Sequence, residues 1–122
     1  MMTKMESGLN LRAIDFAKFG RLVLNKGKWN DEQIIPSDWI TKSTLINPNH
    51  NINEYGSEIY YENFWWLYSR DKLAPYIISG WGHLGQYLYI FPERNVIIVR
   101  MGKELGPIKS WGRIFKEIVE NI

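Results

Sequence analysis

The chain has 122 residues, enough for one domain and too few for two. A net charge of +2, with Lys and Arg scattered rather than clustered, excludes a nucleic-acid partner as the leading reading. The absence of cysteine excludes disulfides, thiol nucleophiles and thiolate metal sites, and no apolar run reaches the ~20 residues of a membrane span. Met1 to Ser7 carries no apolar stretch after Lys4 and is not a signal peptide, so nothing here assigns a compartment. With six Trp, seven Tyr and five Phe, the aromatic content is the outlier, and it predicts a dense core, an exposed groove, or both.

The first element is helical. Phe16, Phe19, Gly20 and Val23 fall at i, i+3, i+4 and i+7, with Asp15, Lys18 and Arg21 on the other side, and Gly27 is placed to close the helix in a left-handed conformation. This predicts a helix over 12–25. Lys28 to Ile35 reads as a turn or small hairpin centred on Asn30-Asp31, and Pro36 opens a short helix with Trp39 and Ile40 expected inward. Asn47 to Asn53 is a polar loop, in which His50 is expected to be a solvated residue.

Beyond Tyr61 the pattern becomes β. Strands are expected at Phe64–Tyr68, Tyr76–Ser79, Gln86–Phe91 and Val96–Arg100, each rich in β-branched and aromatic residues and bounded by Gly, Pro or Asn. Their short connections require an antiparallel meander, because parallel strands need long crossovers. A closing helix follows, with Ile108, Trp111, Phe115, Ile118, Val119 and Ile122 expected on one face. The fold class is therefore α+β, an antiparallel meander packed with helices in one domain spanning 1–122.

Three segments, in order, resemble the serine β-lactamase and penicillin-binding-protein-like hydrolases, and most of all their class C-related branch. Gly8-Leu9 with Asp15-Phe16-Ala17-Lys18-Phe19-Gly20 is similar to the family's Gly-Leu, then Asp-Leu-Ala-Lys-Phe-Gly, helix start. Leu24 to Asn30, then Ile34-Ile35-Pro36 and Trp39, continues it. Gly82-His83-Leu84-Gly85-Gln86 through Pro92-Glu93, followed by Val96 to Val99, resembles the family's closing hairpin. The likeness covers nearly the whole chain. One departure is Arg12, near which the family carries a Ser or Thr hydroxyl that caps the helix; losing such a cap costs about 0.5–2 kcal/mol. Asp15 remains to act as the acidic half of a capping box.

The resemblance implies three catalytic stations. Ser-x-x-Lys at a helix start supplies a nucleophile and an amine within reach on the same face. A tyrosine, often in Tyr-x-Asn, assists proton transfer, and a strand near the end supplies one of two backbone oxyanion donors. Ser69-Arg70-Asp71-Lys72 and Tyr61-Glu62-Asn63 match the first two patterns but follow the helix start that the family places after them. Ser69 also falls at an expected hairpin turn, which is read as solvated, so no catalytic residue is assigned and the chain is expected to be inactive alone. The third station is expected around Ser79, Gly80, Trp81, Gly82, His83, Gly85 and Gln86, where glycines let backbone N–H groups approach a ligand. His83 stands near the family's Lys or His, and Ser79 is the other candidate for that polar position. Trp65, Trp66 and Trp81 are expected as core or groove wall.

No Gly-x-Ser-x-Gly elbow, phosphate loop or His-Glu-x-x-His helix is present, and Glu93 reads as a solvated turn charge. No metal or other cofactor is called for. The leading reading is the C-terminal substrate-wall region of a β-lactamase-related hydrolase, truncated before the helix start, that acts on an ester, amide or peptidoglycan-like substrate when intact. The alternatives are an aromatic-rich sugar- or peptide-binding module, or a truncated product without activity. The missing N-terminal segment is expected to leave the strand Val96–Met101 as an open edge. The expected partner is a second copy of the chain or a complementing N-terminal half.

Overall fold

The computed structural model describes residues 10–52, 58–103, 106–108 and 110–122. Gly8 and Leu9, half of the resemblance at the first helix, lie outside the described residues. Helix α1 runs from Ala13 to Leu24. Arg12 occupies its N-cap without a side-chain cap, and its guanidinium bonds Asp15 at 2.8 Å instead. That bond holds the Asp15 carboxyl below its usual range, with the Arg12 backbone N–H adding the smallest part. The helix closes in a Schellman arrangement: Gly27 N–H bonds the Leu22 carbonyl at 2.8 Å and Lys26 N–H bonds that of Val23 at 3.1 Å. Lys26 therefore takes the first left-handed position, at φ 56°, and Gly27 follows at 89°.

Strands β1 (Lys28–Trp29) and β2 (Glu32–Gln33) pair across Asn30 and Asp31, both with positive φ, the geometry of a tight hairpin turn. Helix α2 spans Ser37–Ser43, directly after Pro36. Ile40 faces inward at 4% exposure, but Trp39 is 59% exposed, contrary to its expected inward position. The helix has only seven residues, so its inward stripe is one residue wide per turn and Ile40 fills it.

Five antiparallel strands follow in simple meander order: β3 (Ile59–Glu62), β4 (Trp65–Tyr68), β5 (Ile77–Gly82), β6 (Gln86–Phe91) and β7 (Val96–Arg100). β3 is an addition to the strands read from sequence. It is separated from β4 by Asn63 and Phe64, both left-handed at φ 49° and 71°, a tight turn made with a bulky residue where Gly is usual. Met101 lies outside β7. Helix α3 covers Trp111–Glu120, capped by Ser110, whose hydroxyl accepts from Arg113 N–H at 3.4 Å. Ile108 precedes it, and Ile118 and Ile122 are 50% and 74% exposed, so its inward face is Gly112, Phe115 and Val119.

Strand alternation divides the core between the two faces of the sheet. On one face Leu67, Ile78, Leu88 and Ile90 pack with Val23 of α1 and Ile40 of α2. On the other Tyr68, Ile77, Tyr89 and Phe91 pack with Phe115 and Val119 of α3. α1 crosses β6 and β7 closely, and a Cβ on Gly20 would stand 2.9 Å from the Leu88 side chain. The sheet is thus a layer between helices, the α+β architecture expected from the sequence.

Candidate functional site

The β5–β6 hairpin carries every residue singled out for the third station. β5 pairs with β6 as far as Gly82–Gln86, but its ladder with β4 ends at Ser79–Trp66. Gly80 therefore stands beyond that ladder, in line with Trp65 at the start of β4, and Gly82 extends past the end of β4; both lie on the face of the sheet shared with Trp65 and α1. A Cβ at Gly80 would meet nothing within 4 Å, so open space stands over that residue, whereas one at Gly82 would stand 3.0 Å from the Gln86 side chain. Trp65 borders that side, stacked on Phe19 of α1 at 6.3 Å.

Ser79 points to the opposite face and is fully buried. Its hydroxyl donates to the Trp66 carbonyl at 2.7 Å and accepts from Trp81 Nε1 at 2.9 Å. What Ser79 can present to a ligand is backbone, not hydroxyl. Trp81 stacks flat on Trp66, centroids 4.3 Å apart and planes within 6°, and Tyr61 leans on Trp66 at 4.7 Å. Trp66 and Trp81 thus belong to the α3 side and Trp65 to the α1 side.

The hairpin tip is held from behind. His83 is exposed, and its ring makes no hydrogen bond among the described residues. Leu84 and Gly85 turn the chain with φ 60° and 84°. The Gly85 carbonyl accepts from the Arg100 guanidinium at 2.6 Å, and that guanidinium lies 4.3 Å over the Trp111 ring. The Gln86 side chain clamps Gly102, accepting from its N–H at 3.0 Å and donating to its carbonyl. Gln86 and Gly85 thus fix the turn, and Arg100 and Gly102, which the sequence reading did not single out, fix them. Only the arginine at the end of an otherwise apolar strand could have hinted at this.

The two decoys fall elsewhere. Ser69 is 2% exposed at the inner end of its turn, while the turn itself, Arg70 to Ala74, is solvated as expected. Its hydroxyl donates to the Asp71 carboxylate at 3.0 Å, and Asp71 also accepts from Leu73 and Ala74 N–H. Those backbone bonds, then the Ser69 hydroxyl, hold the Asp71 carboxyl below its usual range, which makes it a poor base for a serine. Lys72 is in a left-handed turn, not one helical step from Ser69. Tyr61 lies within β3, and Asn63 donates from its amide to the Ser43 carbonyl at 3.2 Å, tying the turn to α2. His50 is not simply solvated: its Nδ1 lies 2.7 Å from Glu62, and Glu62 also accepts from Asn47 N–H. Glu93, on a short 3-10 turn, pairs with Arg70 at 3.4 Å.

On the α3 face a cleft of about 410 Å³ opens beside the first turns of α3, lined among others by Trp81, Tyr87, Tyr89, Tyr68, Trp111 and Lys116. At its edge Lys116 bonds Glu58 at 3.1 Å, and the Tyr76 hydroxyl donates to the same carboxylate at 2.8 Å. Burial pushes Glu58 up, but the bonds from Tyr76 and Lys116 outweigh it and leave the carboxyl below its usual value. Among the described residues no cluster of three or more His, Cys, Asp or Glu stands ready for a metal ion, and no helix is long and apolar enough to cross a membrane.

No family model and no curated protein matches the chain. Solved structures do. A protein described as a 6-aminohexanoate-dimer hydrolase from Bacillus anthracis superposes with a TM-score of 0.71 and 28% identity, over 89% of this chain and 28% of that one. A protein described as a β-lactamase from Bacteroides dorei DSM 17855 superposes with a TM-score of 0.62 and 16% identity, over 89% of this chain and 39% of that one. The chain spans well under half the length of either. Its helices and five-stranded antiparallel sheet have the β-lactamase-like α+β fold, and they fit the C-terminal region of that fold.

Proposed function

We propose that this chain is the C-terminal substrate wall of a β-lactamase-related serine hydrolase acting on an ester, amide or peptidoglycan-like substrate. In this reading the nucleophile comes from an N-terminal segment of the fold outside this sequence, and the residues described here do no chemistry without it. The observation that carries it is the β5 edge: the ladder with β4 stops at Ser79, Gly80 stands under open space, and the turn that follows Gly82 is pinned by Arg100 and Gln86. A rigid strand edge without Cβ atoms lets backbone donors approach a developing oxyanion, and rigidity is what makes such donors effective. His83, exposed at the tip, then offers a ring N–H donor to a substrate carboxylate.

The test is reconstitution. Mixing the chain with a Ser-x-x-Lys-bearing N-terminal segment of such a hydrolase should yield turnover of a chromogenic ester, and a fluorescent penicillin should label the added segment. Gly80→Val should abolish turnover while the two parts still associate. Association without turnover, or turnover indifferent to Gly80→Val, would count against the substrate-wall role.

One observation favours a second reading, a sugar- or peptide-binding module: the ladder Tyr61–Trp66–Trp81, three rings in contact across three strands. Aromatic faces of this kind serve extended ligands without any nucleophile. Binding of soluble oligosaccharides with millimolar or better affinity, lost in Trp81→Ala and kept in Gly80→Val, would support it over the hydrolase wall.

A further inference from the structure

The cleft on the α3 face is not used by the hydrolase reading. At about 410 Å³ it has the size of a small-ligand site. Its described walls come from β3 to β6 and from α3, and none from β7 or α1, so it stands away from the edge where the preceding part of the fold is expected. Gly80 belongs to the opposite face of the sheet. The floor asks for no hydrogen bond: the Tyr68 and Tyr89 hydroxyls satisfy each other at 2.9 Å, and no buried side-chain polar atom among the described residues lacks a partner. Trp81, Tyr87 and Trp111, all half-buried, supply aromatic walls. Rings of this cleft already face cations, with the Arg100 guanidinium 4.3 Å over Trp111 and Lys116 Nζ 5.9 Å over Tyr68.

The charges on the rim are unevenly partnered. Lys116 bonds Glu58 at 3.1 Å, and Arg113 meets Glu117 at 3.4 Å. Glu120 follows Lys116 by one helical turn and is exposed, and its carboxylate makes no hydrogen bond or ion pair among the described residues. An entering anion would have to break an existing pair to reach a cation, whereas an entering cation meets a free carboxylate. We propose that this cleft is a second binding site, for a small organic ammonium ion whose apolar body lies among Trp81, Tyr87 and Trp111 and whose charge meets Glu120. Electron-rich ring faces and a carboxylate both select that charge over a neutral or anionic head on the same body. The site goes beyond the hydrolase reading and stands without it.

Three probes of one shape class and different charge test it: benzyltrimethylammonium, benzyl alcohol and benzoate, titrated calorimetrically into the whole polypeptide that carries this sequence. The cation should bind with a Kd of roughly millimolar or better, and roughly tenfold or more tighter than either other probe. Glu120 is exposed, so changes there leave the core alone. Glu120→Gln should weaken the cation several-fold, and Glu120→Lys should turn the preference toward benzoate. In nuclear magnetic resonance spectra the indole N–H signals of Trp81 and Trp111 should move with the cation, while that of Trp39, exposed on α2, should not. Gly80→Val should leave cation binding unchanged, which separates this site from the hydrolase edge. Equal affinity for the three probes, indifference to the charge at residue 120, or shifts at Trp39 without shifts at Trp81 and Trp111 would overturn the proposal. So would loss of binding in Gly80→Val, or no binding at millimolar concentrations.

Discussion

The hydroxyls of Tyr68 and Tyr89 meet at 2.9 Å beneath Gly112 of α3, and a Cβ on that glycine would stand 2.6 and 2.5 Å from the two oxygens. The helix can seat on the sheet only because one residue in its first turn has no side chain. Two rigid rings, both buried, leave little room to give.

Gly112→Ala should therefore destabilise the chain, although alanine is the better helix former by about 1 kcal/mol. Overpacking of a filled core costs about 1–3 kcal/mol, and that term should win. Chemical denaturation should show the loss, and adding Tyr89→Phe, which removes the nearer oxygen, should recover part of it.

The same pair sets the alkaline limit of stability. Burial raises both tyrosines, Tyr89 far above the ordinary range and Tyr68 less, with the mutual hydrogen bond opposing the rise at Tyr68. A folded-state value above the unfolded one means the native state holds its protons longer. The contribution is fully present below the unfolded value of about 10 and is lost as pH climbs from there toward the raised one. Denaturation midpoints should thus fall steeply above about pH 10, and Tyr89→Phe should flatten that limb. An unchanged slope in the variant would remove Tyr89 as its source.

Arg100 holds the hairpin tip through Gly85 and rests on Trp111. Arg100→Ala should free the turn at 83–85 while leaving the sheet intact, because the Gln86–Gly102 clamp persists. Hydrogen exchange should quicken at the tip by one to two orders of magnitude, given the roughly 1.5–3 kcal/mol of a charged hydrogen bond. Exchange across β6 and β7 should stay slow.

Ser69→Ala separates the structural role of this serine from a catalytic one. Its bond from a buried position to Asp71 steadies the exposed turn, so the variant should lose about 1 kcal/mol of stability. Reconstituted turnover should be unaffected at temperatures where the variant stays folded. A collapse of turnover in a folded variant would return Ser69 to the list of nucleophiles.

Much of the fold was legible in the sequence because its signals were local. Helical spacing from Phe16 to Val23 marked α1, Asn30-Asp31 marked the small hairpin, and β6 and β7 were bounded by Gln86, Pro92 and Asn95. β3 was hidden because its turn uses Phe64 in a left-handed conformation, where a glycine would have announced it. Trp39 and Ile118 are apolar yet exposed, since inward position depends on how far each helix rolls on the sheet, and no local pattern records that. At the candidate site the glycines marked the β5–β6 hairpin turn. The support from Arg100 and Gly102 comes from across β6 and β7, at separations of about fifteen residues that periodicity cannot see. The orientation of Ser79, inward and doubly bonded, was equally out of reach until the β4–β5 register was known.

The chain is proposed to shape a hydrolase site without supplying its nucleophile. Intact-mass analysis of the chain alone, after long incubation with a β-lactam and with an activated ester, tests it most directly. The expected result is the unmodified mass with both reagents. A stoichiometric acyl adduct mapped to Ser69, Ser79 or any other serine of this chain would contradict the account.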